Sequence, residues 1–552
     1  MKREELLHFF LIPVAIGMLG FFAAYIFRYL VQSFTHLYAA INFIDSRIFY
    51  IFTMPLLFYF SSMLVTKMLK NPANVTLDEI AKKVSLTVGK FSILKGLLVL
   101  LLTSLSIGFG VPVGREGPIA KLGGLLTDIF VKFFKIERIN IPIYLSAGIS
   151  SALAATFNAP VAGIFFGLEI IIGKINSYIV IPLIVACITA TFLARLFIGP
   201  YTAFYVLHLE FPASHFWLLP FAAALFSAIA AAMHIGIKRL RFFRVLMRRR
   251  WKRWVLHLGL FVGLLVAIAP QIRGVGYEYV TELFAGHYSG AQAFEIFLLK
   301  LAAVIVSIGS GIFGGLLSPS IFLGAFGGYW FGAIFSFAGI DPRIFALIGS
   351  ATVLAGISRA PLRSAIIITE LTHSYQLLLP ILLSSAIAVY LLSKLEPGSY
   401  FKRSLIQRGI DVDNVALVNY LRSCNIRDYI TKTTPLHPDD TIEFALRAFK
   451  RRKTNYIPVV DYNNQLVGIV SLRDLRKRYV MPKHVAYVED IMSKHPFYIT
   501  QDSTEEDILK AFSILNVSYI PYVSRQKKYI GMIDVDKLLK DLSLKKMTYK
   551  IR

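Results

Sequence analysis

Apolar positions in this chain gather into long runs instead of alternating with polar ones. Between residues 5 and about 395 the runs Leu6–Val31, Ile48–Val65, Leu97–Val113, Ile179–Phe197, Phe216–Ile235, Leu256–Ala269, Phe297–Phe313 and Leu377–Leu392 recur between polar breaks. A helix needs about 20 apolar residues to cross a bilayer core, and several runs are shorter than that. They predict broken, tilted or re-entrant helices, which are stable in a membrane only where protein buries the freed backbone groups. From about residue 403 the text turns to ordinary soluble sequence, rich in Lys, Arg and Asp. The expectation is a polytopic membrane protein with a cytosolic tail.

Both regions repeat themselves. In the membrane region "ATFNAPVAGIFFGLEIIIGKINSYIVIPLIVA" (155–186) resembles "AGISRAPLRSAIIITELTHSYQLLLPILLSS" (355–385), and Pro160/Pro361 and Glu169/Glu370 are each 201 apart. Gly114 is expected to face Gly314 of "GGLLSP", 200 residues on. Such a duplication predicts two inverted repeats, roughly 1–212 and 213–402, with a binding site near the midplane on interrupted helices. The tail repeats at 63, pairing Pro458 with Pro521 and Gly468 with Gly531. Each tail unit reads as a short strand, a helix, a strand ending in "YIP", a turn, a strand and a final helix. The first unit, with its linker, covers 403–482 and the second 483–552. The fold class is therefore a polytopic all-α membrane domain (1–402) with an inverted internal repeat, plus a C-terminal α/β pair sharing one core.

Composition agrees: 56% of the 552 residues are hydrophobic, and mean hydropathy is +0.62. The net charge of +26 does not imply nucleic acid. Much of the excess sits in membrane-flanking loops, above all "KRLRFFRVLMRRRWKRW" (238–254), which the positive-inside rule places in the cytosol. No basic–aromatic surface of a nucleic-acid module is evident. The N-terminal apolar run is too long for a signal peptide, and no small-residue cleavage site follows it. Cys187 and Cys424 imply no disulfide framework. His208, His215 and His287 lack metal-ligand spacing. The glycines of 274–290 match neither a Rossmann fingerprint nor a P-loop. An intramembrane hydrolase lacks both a Gly-x-Ser-x-Gly elbow and HExxH.

The chemistry concentrates where the helices break. "GREGP" (114–118) and "GGLLSPSIF" (314–322) each place glycines before a proline that opens an apolar helix. A helix start inside a membrane offers unpaired N–H groups and a positive dipole end, so it can receive an anion. Two starts from opposite repeats can converge on one desolvated anion without a full cationic charge, which favours release as well as binding. Glu116 is then a functional candidate, because an ionised carboxylate competes with the anion and a protonated one can step aside. The alternative is a structural ion pair with Arg115.

Together "GREGP", "FNAPVAGIFFGLE", "GSGIFGGLLSPSIFLGAFGG" and "SRAPLRSAIIITELTHSYQLLLP" resemble the CLC chloride channels and chloride/proton exchangers, and the tail resembles a CBS domain pair. The resemblance implies Glu116 as the gating glutamate. It implies anion coordination by amides around Gly114, Arg115, Glu116 and Gly117 and around Leu316 and Leu317, with the Tyr400 hydroxyl facing the central anion. It also implies a homodimer with one pore per subunit. Three positions depart from the family pattern: no Gly-Ser-Gly-Ile-Pro motif lies in 70–83, although Asn74 and Thr76 offer polar groups there. Leu317 replaces a phenylalanine, and Ile170 replaces the internal proton-transfer glutamate. Isoleucine carries no proton, so channel-like or uncoupled chloride conduction is the primary expectation and proton-coupled exchange the alternative. The remote alternative is an intramembrane enzyme with a nucleotide-sensing tail. Glu169 and Glu370, in matching positions, are expected to share a structural role such as accepting bonds from helix ends.

CBS pairs often bind adenine nucleotides. Here Ser471 is expected at a phosphate, Asp474 at a ribose, and Ile457 and Pro458 beside a base; in the second unit Asp534 and Lys537 occupy the matching places. The alternative is a tail that only supports dimerisation. No cofactor is required, and a bacterial plasma membrane with both termini cytosolic is the expected location.

Overall fold

The computed structural model describes residues 6–41, 46–68, 92–136, 140–172, 177–199, 209–247, 250–395, 430–452, 456–477, 487–494, 496–500 and 519–534, together with 204, 206, 503 and 537. The chain divides into two compact units, Met1–Gln407 and Arg408–Arg552.

The first unit is helical. In chain order its helices are α1 (Ile12–Ala40), α2 (Ser46–Met68), α3 (Ile93–Gly108), α4 (Glu116–Phe133), α5 (Ile141–Phe157), α6 (Pro160–Phe166), α7 (Ser177–Phe197), α8 (Leu219–Leu246), α9 (Trp251–Ile268), α10 (Tyr277–Phe284), α11 (Gly290–Ser310), α12 (Leu317–Ile334), α13 (Pro342–Ser358), α14 (Pro361–Thr372) and α15 (Leu378–Leu395). Among the described residues, eight helical stretches are long and apolar enough to cross a membrane, while α3, α5, α6 and α13 are shorter apolar helices.

The duplication is visible in the helix starts. α4 and α12 begin at Glu116 and Leu317, α5 and α13 at Ile141 and Pro342, α6 and α14 at Pro160 and Pro361, and α7 and α15 at Ser177 and Leu378. Each pair is 201 residues apart. The left-handed residues that end α5 and α13, Asn158 (φ 54°) and Arg359 (φ 57°), keep the same interval. Local signals set several ends. Prolines stand in the first turns of α5, α6, α13 and α14, where a fixed φ suits the helix and a missing N–H costs nothing. Ser289 and Gln292 form a capping box at α11. The Asp341 carboxylate accepts the Arg343 amide at 2.9 Å to cap α13.

Helices α12 and α13 were absent from the apolar runs because glycine, alanine and serine dilute their hydropathy. Those small residues are what let the pair pack backbone to backbone. A Cβ on Gly123 in α4 would lie 2.5 Å from the Gly148 carbonyl oxygen of α5, and Gly324 and Gly349 hold the equivalent contact between α12 and α13. The run Leu97–Val113 also ends sooner as a helix: α3 stops at Gly108, and Val111 and Val113 are buried in a tight turn leading to the break, the Val113 amide donating to the Val111 carbonyl at 2.9 Å.

The second unit contains β1 (Ile430–Thr431), α16 (Ile442–Arg452), β2 (Tyr456–Val460), β3 (Leu466–Ser471), α17 (Leu472–Lys477), α18 (Val488–Ile491), β4 (Ser493–Lys494), β5 (Ile499–Thr500), β6 (Tyr519–Val523) and β7 (Tyr529–Asp534). "YIP" opens β2 and β6; it does not end them, because the buried apolar residues Val459–Val460 and Tyr522–Val523 continue each strand into the core. The antiparallel pairs keep the 63-residue interval: Pro458 lies opposite Ile469, and Pro521 opposite Met532. The units exchange strands. β1 of the first pairs with β7 of the second, and β4 of the second with β3 of the first, so the pair shares one core.

Candidate anion-binding site

The two repeats of the first unit cross at Gly114 and Gly315. The Gly114 amide donates to the Gly315 carbonyl at 2.9 Å, and the Gly315 amide returns a 2.7 Å bond to Gly114. The expected partner, Gly314, is displaced by one residue: the true interval is 201, as for Pro118 and Pro319. Neither glycine can be enlarged without movement. A Cβ on Gly315 would lie 2.7 Å from Glu116 Oε2, and one on Gly114 would lie 2.8 Å from the Gly315 oxygen.

This crossing brings the starts of α4 and α12 together. Arg115 and Leu316 are the N-cap positions, and neither provides a capping side chain. Glu116 is fully buried. Its Oε1 accepts the Ser318 amide at 3.1 Å and the Ser318 hydroxyl, while Oε2 has no hydrogen-bond partner. The carboxylate therefore caps α12 from the other repeat, in the place where a helix start would hold an anion. In front of Gly117 the space is open, since a Cβ there would touch nothing within 4 Å. Arg115 is not clamped to Glu116; its guanidinium lies between the rings of Phe157 and Tyr277, 5.5 and 5.2 Å from their centroids.

Three supporting residues were not singled out from sequence. Ser318 belongs to the quoted "GGLLSPSIF", but only its backbone drew notice there. Tyr277 donates its hydroxyl to Ser318 Oγ at 3.1 Å. Lys300 on α11 is fully buried and donates to the carbonyls of Ile272 and Gly274, both at 2.8 Å. The Gly274 amide also donates to Gly110 at 2.8 Å, so Lys300 pins the segment that presents Tyr277. A cavity of ≈ 340 Å³ adjoins these residues, with Arg28, Gln32, Arg115, Thr156 and Tyr277 among its lining.

Other helix starts inside the unit are capped across the repeats. Glu370 accepts the amides of Val161 and Ala162 at 3.0 and 2.6 Å, capping α6. Glu169 accepts the Arg363 amide at 3.1 Å, capping α14. Glu116 does the same for α12. The fourth start, α4, has Leu317 as the counterpart of Glu116, and leucine has no oxygen to offer. Ile170 is buried in the apolar core with Phe166 and Ile171. Tyr400 and residues 70–83, with Asn74 and Thr76, lie outside the described residues.

In the tail, a cavity of ≈ 350 Å³ is lined by residues from both units, among them Tyr456, Ser471, Asp474, Lys494, Phe497 and Pro521. Ser471 and Asp474 come together there, the Ser471 hydroxyl donating to Asp474 at 2.6 Å. Ile457 and Pro458 do not line it. Ile457 is fully buried in the core, as are the residues that follow it in β2, and Ile520 and Pro521 of the second unit line the cavity instead.

The profile of the voltage gated chloride channel family matches residues 57–393. The chain belongs to that family. CBS domain profiles match residues 426–480 and 488–544. This CLC chain is 31% identical over 292 residues to a putative chloride channel protein, ClcB-like, of Ralstonia nicotianae, covering 50% of this chain and 67% of that one. It is 28% identical to the H(+)/Cl(-) exchange transporter ClcA of Vibrio parahaemolyticus over 56% of this chain and 69% of the relative. Among solved structures a eukaryotic CLC transporter aligns over 95% of this chain and 97% of its own, with TM-score 0.67 and 20% identity. Family and fold make this an integral membrane protein for anion transport; its named relatives are channels and exchange transporters, not enzymes.

Proposed function

We propose that the protein conducts chloride through the crossing of its two repeats, gated by Glu116. The observation that carries this is the Glu116 carboxylate seated on the first turn of α12, beside open space where a side chain on Gly117 would lie. In this position the carboxylate substitutes for an anion. Protonation or displacement frees the amides of α12, and the amides around Gly114–Gly117 and at Leu316 and Leu317 then coordinate the ion. Because the donors are helix dipoles, binding is weak enough to permit passage. The protein acts as a homodimer in the plasma membrane with its termini in the cytosol.

Conduction is uncoupled from protons. Ile170 and its buried apolar neighbours offer no titratable group, and Glu169 serves α14 as a cap. Proton-coupled exchange is the second reading, favoured by the likeness to the Vibrio exchange transporter. Purified protein in liposomes tests the gate: the wild type shows pH-dependent chloride flux, and Glu116→Gln shows flux that no longer responds to pH. Unchanged pH dependence in the variant would remove Glu116 from the gate.

The tail cavity accepts an adenine nucleotide. The Asp474 carboxylate suits ribose hydroxyls, Lys494 a phosphate, and Tyr456, Phe497 and Pro521 a purine ring. Binding there regulates conduction. Calorimetry of the full-length protein with ATP and AMP tests it; no heat with either nucleotide contradicts it.

A further inference from the structure

Among the described residues, nothing accepts a hydrogen bond from the charged side chain of Arg363. It stands in the first turn of α14 and is, among the described residues, the largest side chain that is fully buried. Its backbone amide is spent on Glu169. Its Nε, Nη1 and Nη2 have no hydrogen-bond partner, and the guanidinium lies 5.3 Å from the centroid of the Phe166 ring. A ring face attracts a cation but accepts few of its five N–H donors.

A buried cation without acceptors is among the costliest arrangements a fold can contain, and arginine does not escape it by releasing its proton. Lys300, also fully buried, shows the ordinary solution, with two carbonyls at 2.8 Å. Arg363 has no such carbonyls. The carboxylates acting on it electrostatically are Glu169 and Glu116. Glu169 is turned to the α14 amide, and Glu116 to Ser318. Ile170, next to Glu169, and Ile367, one turn on from Arg363, are buried and apolar. The missing partner must then be a mobile species with negative charge, small enough for a closely packed interior.

We propose that Arg363 binds a small inorganic anion, a halide in the first instance, at a second site distinct from the amides of α4 and α12. The inference rests on the reading of the protein as an anion conductor. It assigns the anion a full cationic partner, where the sequence pattern offered only helix dipoles. An anion held there lies within electrostatic reach of Glu116 and lowers the attraction between guanidinium and gate, so occupancy of this site favours release of the carboxylate.

Anomalous diffraction from crystals of the full chain in bromide tests it. A bromide peak within hydrogen-bond distance of the guanidinium is expected in the wild type and absent in Arg363→Met. By calorimetry Arg363→Met should weaken one class of halide site by about ten- to a hundredfold, the loss of charge-assisted hydrogen bonds, and Arg363→Lys should restore much of it. A wild-type guanidinium paired to Glu169 with no bromide peak, or unchanged halide binding in Arg363→Met, overturns the proposal. If halide flux persists in either case, the conduction reading stands and only this site falls. If neither flux nor any bromide peak is found, both fall.

Discussion

The carboxylate of Glu116 and the first turn containing Ser318 are joined across 202 residues of sequence. One oxygen accepts both the amide and the hydroxyl of Ser318, and Tyr277 bonds to that hydroxyl in turn. Glu116, the proposed gate, is therefore held by a three-residue chain, each member on a different helix.

Ser318→Ala keeps the amide bond and removes the hydroxyl. A hydrogen bond to a charged group contributes about 1.5–3 kcal/mol, so the docked carboxylate should be populated roughly ten to a hundred times less against competing anions. Liposome flux under conditions where the wild type is mostly closed should rise accordingly. Tyr277→Phe, which removes only the orienting hydroxyl, should produce a smaller rise in the same direction.

Glu169 and Glu370 are predicted to behave as structural equivalents. Substituting either with Ala strips an intramembrane helix start of its acceptor, at about 1–3 kcal/mol for each buried amide left bare. Thermal denaturation in detergent should show a loss for both, larger for Glu370, which caps two amides where Glu169 caps one. Glu169→Gln retains an accepting oxygen and should recover much of the stability while leaving chloride flux intact. A folded Glu169→Gln that changed the proton dependence of transport would contradict the capping role.

What could be read from sequence follows from what a repeat preserves. Pro160/Pro361 and Glu169/Glu370 fixed the 201-residue interval, and the capping role of the two glutamates followed from their equivalence. Gly114 was matched one residue early because the glycines of "GREGP" and "GGLLSP" are spaced differently; Pro118 and Pro319 carry the true register. Tyr277, Lys300 and Arg363 were not singled out because each acts across the fold without a repeat partner of its own kind or a local spacing that reveals its contact. A lone lysine in an apolar helix looks the same whether it faces solvent or pins a loop. In the tail, the 63-residue interval was legible, but Ile457 and Pro458 were assigned to the wrong cavity wall. The packing of the second unit against the first that brings Ile520 and Pro521 there is a tertiary event.

Lys300→Met should act at a distance. The carbonyls of Ile272 and Gly274 lose their shared donor, at about 1–3 kcal/mol for each one left bare. Tyr277 then loses its fixed approach to Ser318. The expected result is a lower melting temperature together with the flux phenotype of Tyr277→Phe, whereas Lys300→Arg, which can still donate, should lie nearer the wild type. A melting change with fully normal gating would separate Lys300 from the gate.

The tail cavity predicts a specific loss. Asp474→Ala removes the carboxylate proposed for the ribose and also the partner of the Ser471 hydroxyl, so nucleotide affinity in the full-length protein should fall by about tenfold or more. Lys494→Glu should abolish phosphate recognition while leaving the melting temperature near wild type, since Lys494 is exposed. Wild-type nucleotide affinity in both variants would place any bound nucleotide elsewhere.

The most direct test is the reversal potential of the reconstituted protein under combined chloride and pH gradients. Uncoupled conduction through a gate without a proton partner at Ile170 predicts a reversal potential at the chloride equilibrium value, unmoved when the pH gradient is imposed or inverted. A reversal potential that shifts with the pH gradient would show coupled proton movement and contradict that mechanism.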